Sequence, residues 1–230
     1  MIGTFVNVGT ICVGSIIGSL LKKGIKEKYQ EVLYTAMGLA ATMLGINAVV
    51  NHLPDSRFPV LFIISLAAGG LLGTALDLED RFQRTVNAHS DGKLGEGLAT
   101  GFLLYCIGTL SILGPVMSAL YGDHTYLFTN ATLDLVTSMV LASTYGIGMI
   151  LVAPVLFLWQ GSFYVLARYV CTTFFAGAAL NDLVNELSIV GGVLIAASGL
   201  NILGIKNCKT LNLLPSLLVP ILFVAIVNLL

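Results

Sequence analysis

The chain has 230 residues, 57% of them hydrophobic and 10% charged, with a formal net charge of -1 and a mean hydropathy of +0.93. One water-soluble core of this size cannot absorb so much apolar side chain, so most of the surface must face lipid. Eleven basic residues against twelve acidic ones, spread among short connections, exclude the electropositive face that nucleic acid requires.

Residues 1–21 form the first apolar run, with no basic residue before it and Lys22, Lys23, Lys26 and Lys28 after it. That polarity is the reverse of a cleavable signal peptide and predicts a retained first span with its N-terminus outside and its lysines in the cytoplasm. A helix crossing ~30 Å of hydrocarbon needs about 20 residues. Runs at 32–50, 58–76, 98–120, 188–205 and 213–230 meet that need. The stretch 131–171 is too long for one span. Its only charged residues are Asp134 and Arg168, and Gly146, Gly148 and Pro154 near its middle favour a break.

Nine of the eleven Lys and Arg fall in the segments 22–28, 81–93 and 206–209. All three lie on one side only if 131–171 crosses an even number of times, as the positive-inside rule demands. The expectation is an all-α membrane protein of about eight helices with both termini outside the cytoplasm. A re-entrant pair over 131–171 would keep the same parity.

An internal match adds to this picture. Gly38-x6-Gly45-Ile46-Asn47 can be laid on Gly192-x6-Gly199-Leu200-Asn201. By parity the two segments run in opposite directions, so residues 1–78 and 149–230 are expected to form inverted three-helix repeats, with 79–148 as a cytoplasmic loop and two linking helices. Inverted repeats are a common construction of secondary transporters, because two similar units of opposite orientation can exchange conformations around a central site.

Asp134 is the carboxylate placed clearly inside an apolar run, which makes it a functional hypothesis by default. Asn130, Asp134, Thr137, Ser138 and Tyr145 follow helical spacing and should form one polar stripe turned away from lipid. Such an acid could exchange a proton or meet a metal ion, or it could be solvated near the helix end. Asn47 and Asn201, with Asn7 and Gln160 in the opening helices of the two repeats, offer carboxamides that either coordinate a small cation or polar solute or bond neighbouring helices. Gly14/Gly18, Gly69/Gly73, Gly38/Gly45 and Gly192/Gly199 have spacings that let helices approach closely, while Gly146 and Gly148 mark a hinge. The same seams could mediate a homodimer.

Cys12, Cys106, Cys171 and Cys208 are too dispersed for a zinc site, and His52, His89 and His124 fall in connections without metal-ligand spacing. No phosphate-binding Gly-Lys loop, His-Glu-x-x-His, nucleophile elbow or Cys-x-x-Cys occurs. The chain is therefore expected to be neither an enzyme nor a cofactor protein.

Gly3-Thr4-Phe5-Val6-Asn7, Leu141-Ala142-Ser143-Thr144-Tyr145-Gly146-Ile147-Gly148, Gln160-Gly161, the run from Gly199 to Lys206 and Asn212-Leu213-Leu214-Pro215 together resemble the bacterial inner-membrane family known as domain of unknown function 554. The resemblance covers essentially the whole chain. It implies a bacterial plasma-membrane location and a transport role, and it carries over no site residue. The leading expectation is a secondary transporter of an inorganic ion or small polar solute. A non-transporting scaffold or partner-binding protein and a passive channel are the alternatives.

Overall fold

The structure, a computed structural model, describes residues 1–21, 26–87, 92–106, 109–171 and 178–229. Lys22, Lys23 and His89 lie outside the described residues. Among those described the chain is helical, with no strand. In order come α1 (Ile2–Leu20), α2 (Glu27–His52), α3 (Leu61–Ala75), α4 (Leu78–Asn87), α5 (Gly92–Cys106) and α6 (Thr109–Tyr121). They are followed by α7 (Thr125–Tyr145), α8 (Val152–Leu166), α9 (Ala178–Ile202), α10 (Thr210–Leu213) and α11 (Leu218–Leu229), with 3-10 turns at Leu53–Asp55, Ile147–Leu151 and Leu214–Leu217.

Among the described residues six stretches are long and apolar enough to cross a membrane: Ile2–Leu20, Glu27–Asp55, Thr100–Tyr121, Ile147–Tyr169, Ala179–Ile202 and Thr210–Asn228. Of the eight spans expected, the other two correspond to α3 and α7. Helix α3 is apolar but only 15 residues long. Helix α7 has 21 residues, about 32 Å at 1.5 Å per residue, and owes its lower apolarity to its polar stripe.

The stretch 131–171 does break where glycine is needed. Gly146 ends α7 at φ +90°, a region that side-chain-bearing residues rarely enter, while its N–H still reaches Ala142 O at 2.9 Å. Two of the helix starts that differ from the expectation bear on buried carboxylates. Helix α7 begins at Thr125, six residues early, because Asp123 Oδ1 accepts the Thr125 N–H at 2.9 Å and serves the first turn. Helix α9 begins at Ala178 rather than 188, taking in Asp182, Asn185 and Glu186. His52 and His124 are both half-buried. His52 ends α2 and bonds to Ala48 O at 3.0 Å, and His124 bonds to Ser118 at 2.9 Å.

The chain divides into two compact units, each drawing on both proposed repeats: 1–36 with 82–168, and 37–81 with 169–230. In the first unit α1 lies along α7 in parallel. A methyl at Gly3 would meet Leu127, at Gly14 Ser138 and Leu135 O, and at Gly18 Met139 O, so the partner number rises with the glycine number. Helix α8 runs antiparallel to α1, since Met1 approaches Gly161 and Phe5 packs on Phe157 with ring centroids 5.3 Å apart. The core below this seam contains Ile11, Tyr105, Cys106, Leu141, Met149, Val152 and Leu156.

In the second unit the two matched glycine segments face one another. Gly38 meets Gly199 O and Leu203, while Gly45 meets Gly192 O and Ala196, so α2 and α9 are antiparallel at the closest distance two backbones allow. Gly69 and Gly73 of α3 likewise abut Ser216 and Asn212, which sets α3 antiparallel to the α10–α11 segment. At the junction of α3 and α4 the Glu79 N–H donates to Asn212 Oδ1 at 2.9 Å, and Lys209 pairs with Asp80 at 3.0 Å. Asp80, which precedes the basic segment 81–93, and Lys209, which closes the segment 206–209, thus meet.

Candidate functional site

The expected polar stripe on α7 is buried. Asn130, Asp134, Thr137 and Ser138 are 5%, 4%, 6% and 0% exposed, and Tyr145 is half-buried. They fall on one side of the helix by the 3.6-residue period, and the face of α1 carrying Thr4, Asn7, Ile11, Gly14 and Ser15 is buried too. Close approach at Gly14 and Gly18 draws that face onto α7. Because α7 starts at Thr125, Asp134 is about 14 Å along its axis rather than near its end.

Asn130 Nδ2 donates to Asp134 Oδ2 at 2.9 Å, one turn away. The fully buried carboxamide of Asn7 also approaches the Asp134 carboxyl. Its Nδ2 nevertheless completes no hydrogen bond among the described residues. Tyr105, buried on α5, brings its hydroxyl to the neighbourhood of Ser138 and Asp134, and that oxygen too lacks a partner. Thr137 and Ser138 bond back to Leu133 O at 2.9 Å and Leu135 O at 3.0 Å. No ion pair holds Asp134 among the described residues.

Gln160 belongs to the same unit. It is fully buried on α8, and its Nε2 donates to Ser111 Oγ on α6 at 3.0 Å, leaving Oε1 without a partner. With Thr4 Oγ1, Ser15 Oγ and Trp159 Nε1, six buried polar atoms of the first unit have no hydrogen-bond partner among the described residues. Each such atom costs about 1–3 kcal/mol if left unmet.

Asn47 and Asn201 are not brought together. The pairing of Gly45 with Gly192 and Gly38 with Gly199 puts them at opposite ends of the α2–α9 contact, about 16 Å apart along the axis. Asn47 is exposed, and Asn201 spends its Oδ1 on the Cys208 N–H at 2.7 Å, pinning the connection after α9. Among the described residues no group of three or more His, Cys, Asp or Glu could hold a metal ion.

Sequence reasoning missed Glu186, which is 1% exposed. Its signal was the helical phase it shares with Leu183 and Val190, hidden because Asn181, Asp182 and Asn185 make the region read as a connection. Tyr105, Ser111, Thr4 and Ser15 were also missed, since single polar residues in apolar runs carry no signal of which neighbour they face.

A family model described as "Protein of unknown function (DUF554)" matches residues 2–225. The chain belongs to this family. It is similar to the Bacillus subtilis (strain 168) "Uncharacterized membrane protein YdfK", 57% identical over 228 residues, covering 99% of this chain and 97% of the relative. It also resembles the Escherichia coli (strain K12) "Uncharacterized protein YqgA", 26% identical over 231 residues and covering 95% and 94% of the two chains. No solved structure matches it. Family membership and the apolar helices together make this a membrane protein.

Proposed function

We propose that this chain is a secondary transporter of a small inorganic cation, working by alternating access with Asp134 as the coupling acid and without enzymatic chemistry. The observation that carries the reading is Asp134 itself. It is a carboxylate midway along the buried face of α7, with Asn7, Asn130, Ser138 and Tyr105 from three helices around it and no cationic partner among the described residues. An uncompensated carboxylate in such surroundings is costly unless a proton or cation neutralises it. An inorganic anion would add a second negative charge there, so anions are disfavoured as substrate.

The eight-span, inverted-repeat architecture is supported by how the matched helices pair. Helices one and eight of the chain (α1 and α8) are antiparallel in the first unit. In the second, α2 and α9 are antiparallel, and so are α3 and the α10–α11 segment. At α2 and α9 the cross-pairing of Gly38 with Gly199 and Gly45 with Gly192 is what a local twofold gives, each site meeting the counterpart of the other. The Lys209–Asp80 pair supports a common side for segments 81–93 and 206–209; with that side cytoplasmic by the positive-inside rule, both termini lie outside in this reading of a bacterial plasma-membrane protein.

Reconstitution into liposomes tests the reading. Cation flux driven by an opposing proton gradient is expected in the wild type and lost in Asp134→Asn, which keeps the shape while deleting the charge. Equal flux and equal pH dependence in the two proteins would defeat the assignment of Asp134.

A further inference from the structure

The second unit holds a buried carboxylate of its own that the transport reading does not use. Glu186 lies on the face of α9 shared by Leu183 and Val190, and is 1% exposed. Its Oε1 accepts from Ser56 Oγ, that hydroxyl oxygen in turn accepts the Phe58 N–H at 3.0 Å, and Oε2 has no partner among the described residues. Two further contacts fasten the same segment to α9: Asn185 Nδ2 donates to Asp55 O at 3.3 Å, and Arg57 pairs with Asp182 at 2.9 Å. These last two are exposed, so Glu186 is the buried anchor of the 55–58 connection.

The charges around it are few. On α9, Asp182 stands one turn before Glu186 and is held by Arg57; the connection contributes Asp55, and His52 at the end of α2 bonds back to its own helix. Helices α3 and α11 contain no charged residue. No lysine or arginine pairs with Glu186 among the described residues. A multivalent metal would need more acidic or imidazole ligands than are gathered here.

We propose that Glu186 is a proton-binding site, and that its protonation releases the 55–58 connection from α9. An ionised carboxylate receives the Ser56 hydroxyl, itself held by the Phe58 N–H, as a charge-assisted hydrogen bond, about twice as strong as a neutral one. Addition of a solvent proton to a carboxylate oxygen removes that assistance without breaking any covalent bond. The orphaned Oε2 is the position at which the proton arrives, since no protein donor already occupies it.

Hydrogen exchange of the 53–60 region, measured on the whole protein in nanodiscs and corrected for the intrinsic pH dependence of exchange, tests this without any transport assay. In the wild type, protection should fall about tenfold as pH drops through the titration of Glu186, the ratio expected between charged and neutral hydrogen bonds. Glu186→Gln should exchange fast at every pH. Ser56→Ala should lose protection at high pH and show a smaller pH step. A pH-independent wild type, or a Glu186→Gln protein with wild-type protection, overturns the proposal. If Glu186→Gln does not fold, Ser56→Ala decides: a pH step equal to that of the wild type overturns it, and a smaller one supports it.

Discussion

Gly18→Ala probes the seam on which the Asp134 site is built. A methyl at Gly18 would collide with Met139 O and stand 2.9 Å from the Met139 carbonyl carbon, against ordinary contact beginning at 3.4 Å. Both obstacles are backbone, so no side-chain rotation can make room. Helices α1 and α7 would have to part by about 1 Å at this level, and overpacking of that kind costs about 1–3 kcal/mol. Alanine is also the better helix former by roughly 0.5–1 kcal/mol, which masks part of the cost in a single measurement.

Gly9 removes that ambiguity, because it lies on the same helix and a methyl there meets nothing within 4 Å. Gly9→Ala carries the propensity gain alone, so the difference between the two variants isolates the packing term, about 1–3 kcal/mol. Equilibrium unfolding in mixed micelles, titrated with a denaturing detergent, measures both. A gap below about 0.5 kcal/mol, the scale of an ordinary surface substitution, would refute close backbone contact between α1 and α7. Cation flux should fall with stability in Gly18→Ala and stay at the wild-type level in Gly9→Ala.

Asn130→Ala removes the hydrogen bond to Asp134 Oδ2 and should destabilise the protein by about 1–3 kcal/mol in the same unfolding assay, with a shifted pH profile of flux rather than a uniform loss. Glu79, outside the spans, has its carboxyl raised above the usual value by burial, partly offset by the Leu211 N–H and by Lys209. A carboxyl raised in the folded state favours folding at pH below its unfolded value and loses that contribution as pH rises through the folded one. Glu79→Gln should therefore gain stability over the wild type as pH increases from about 4 to neutrality, read as a widening Tm difference; a constant difference would contradict this.

Apolar runs were legible because the bilayer imposes one length on every crossing. The stripe of α7 was legible too, since Asn130, Asp134, Thr137 and Ser138 keep a helical period through apolar surroundings. What hid was the depth of each site. Thr125 to Asn130 and Asp182 to Glu186 are polar enough to resemble connections, yet both are helix, because Asn130 and Glu186 share a buried face with Tyr126 and Leu127 and with Leu183. Composition averages over the two faces of a helix and cannot separate these cases. Asn47 and Asn201 show the converse. Equal places in two matched segments that meet antiparallel are driven to opposite ends of the contact, so matching residues fall in one site only when they sit near the crossing point. The glycines do sit there, and they are the matched residues that touch.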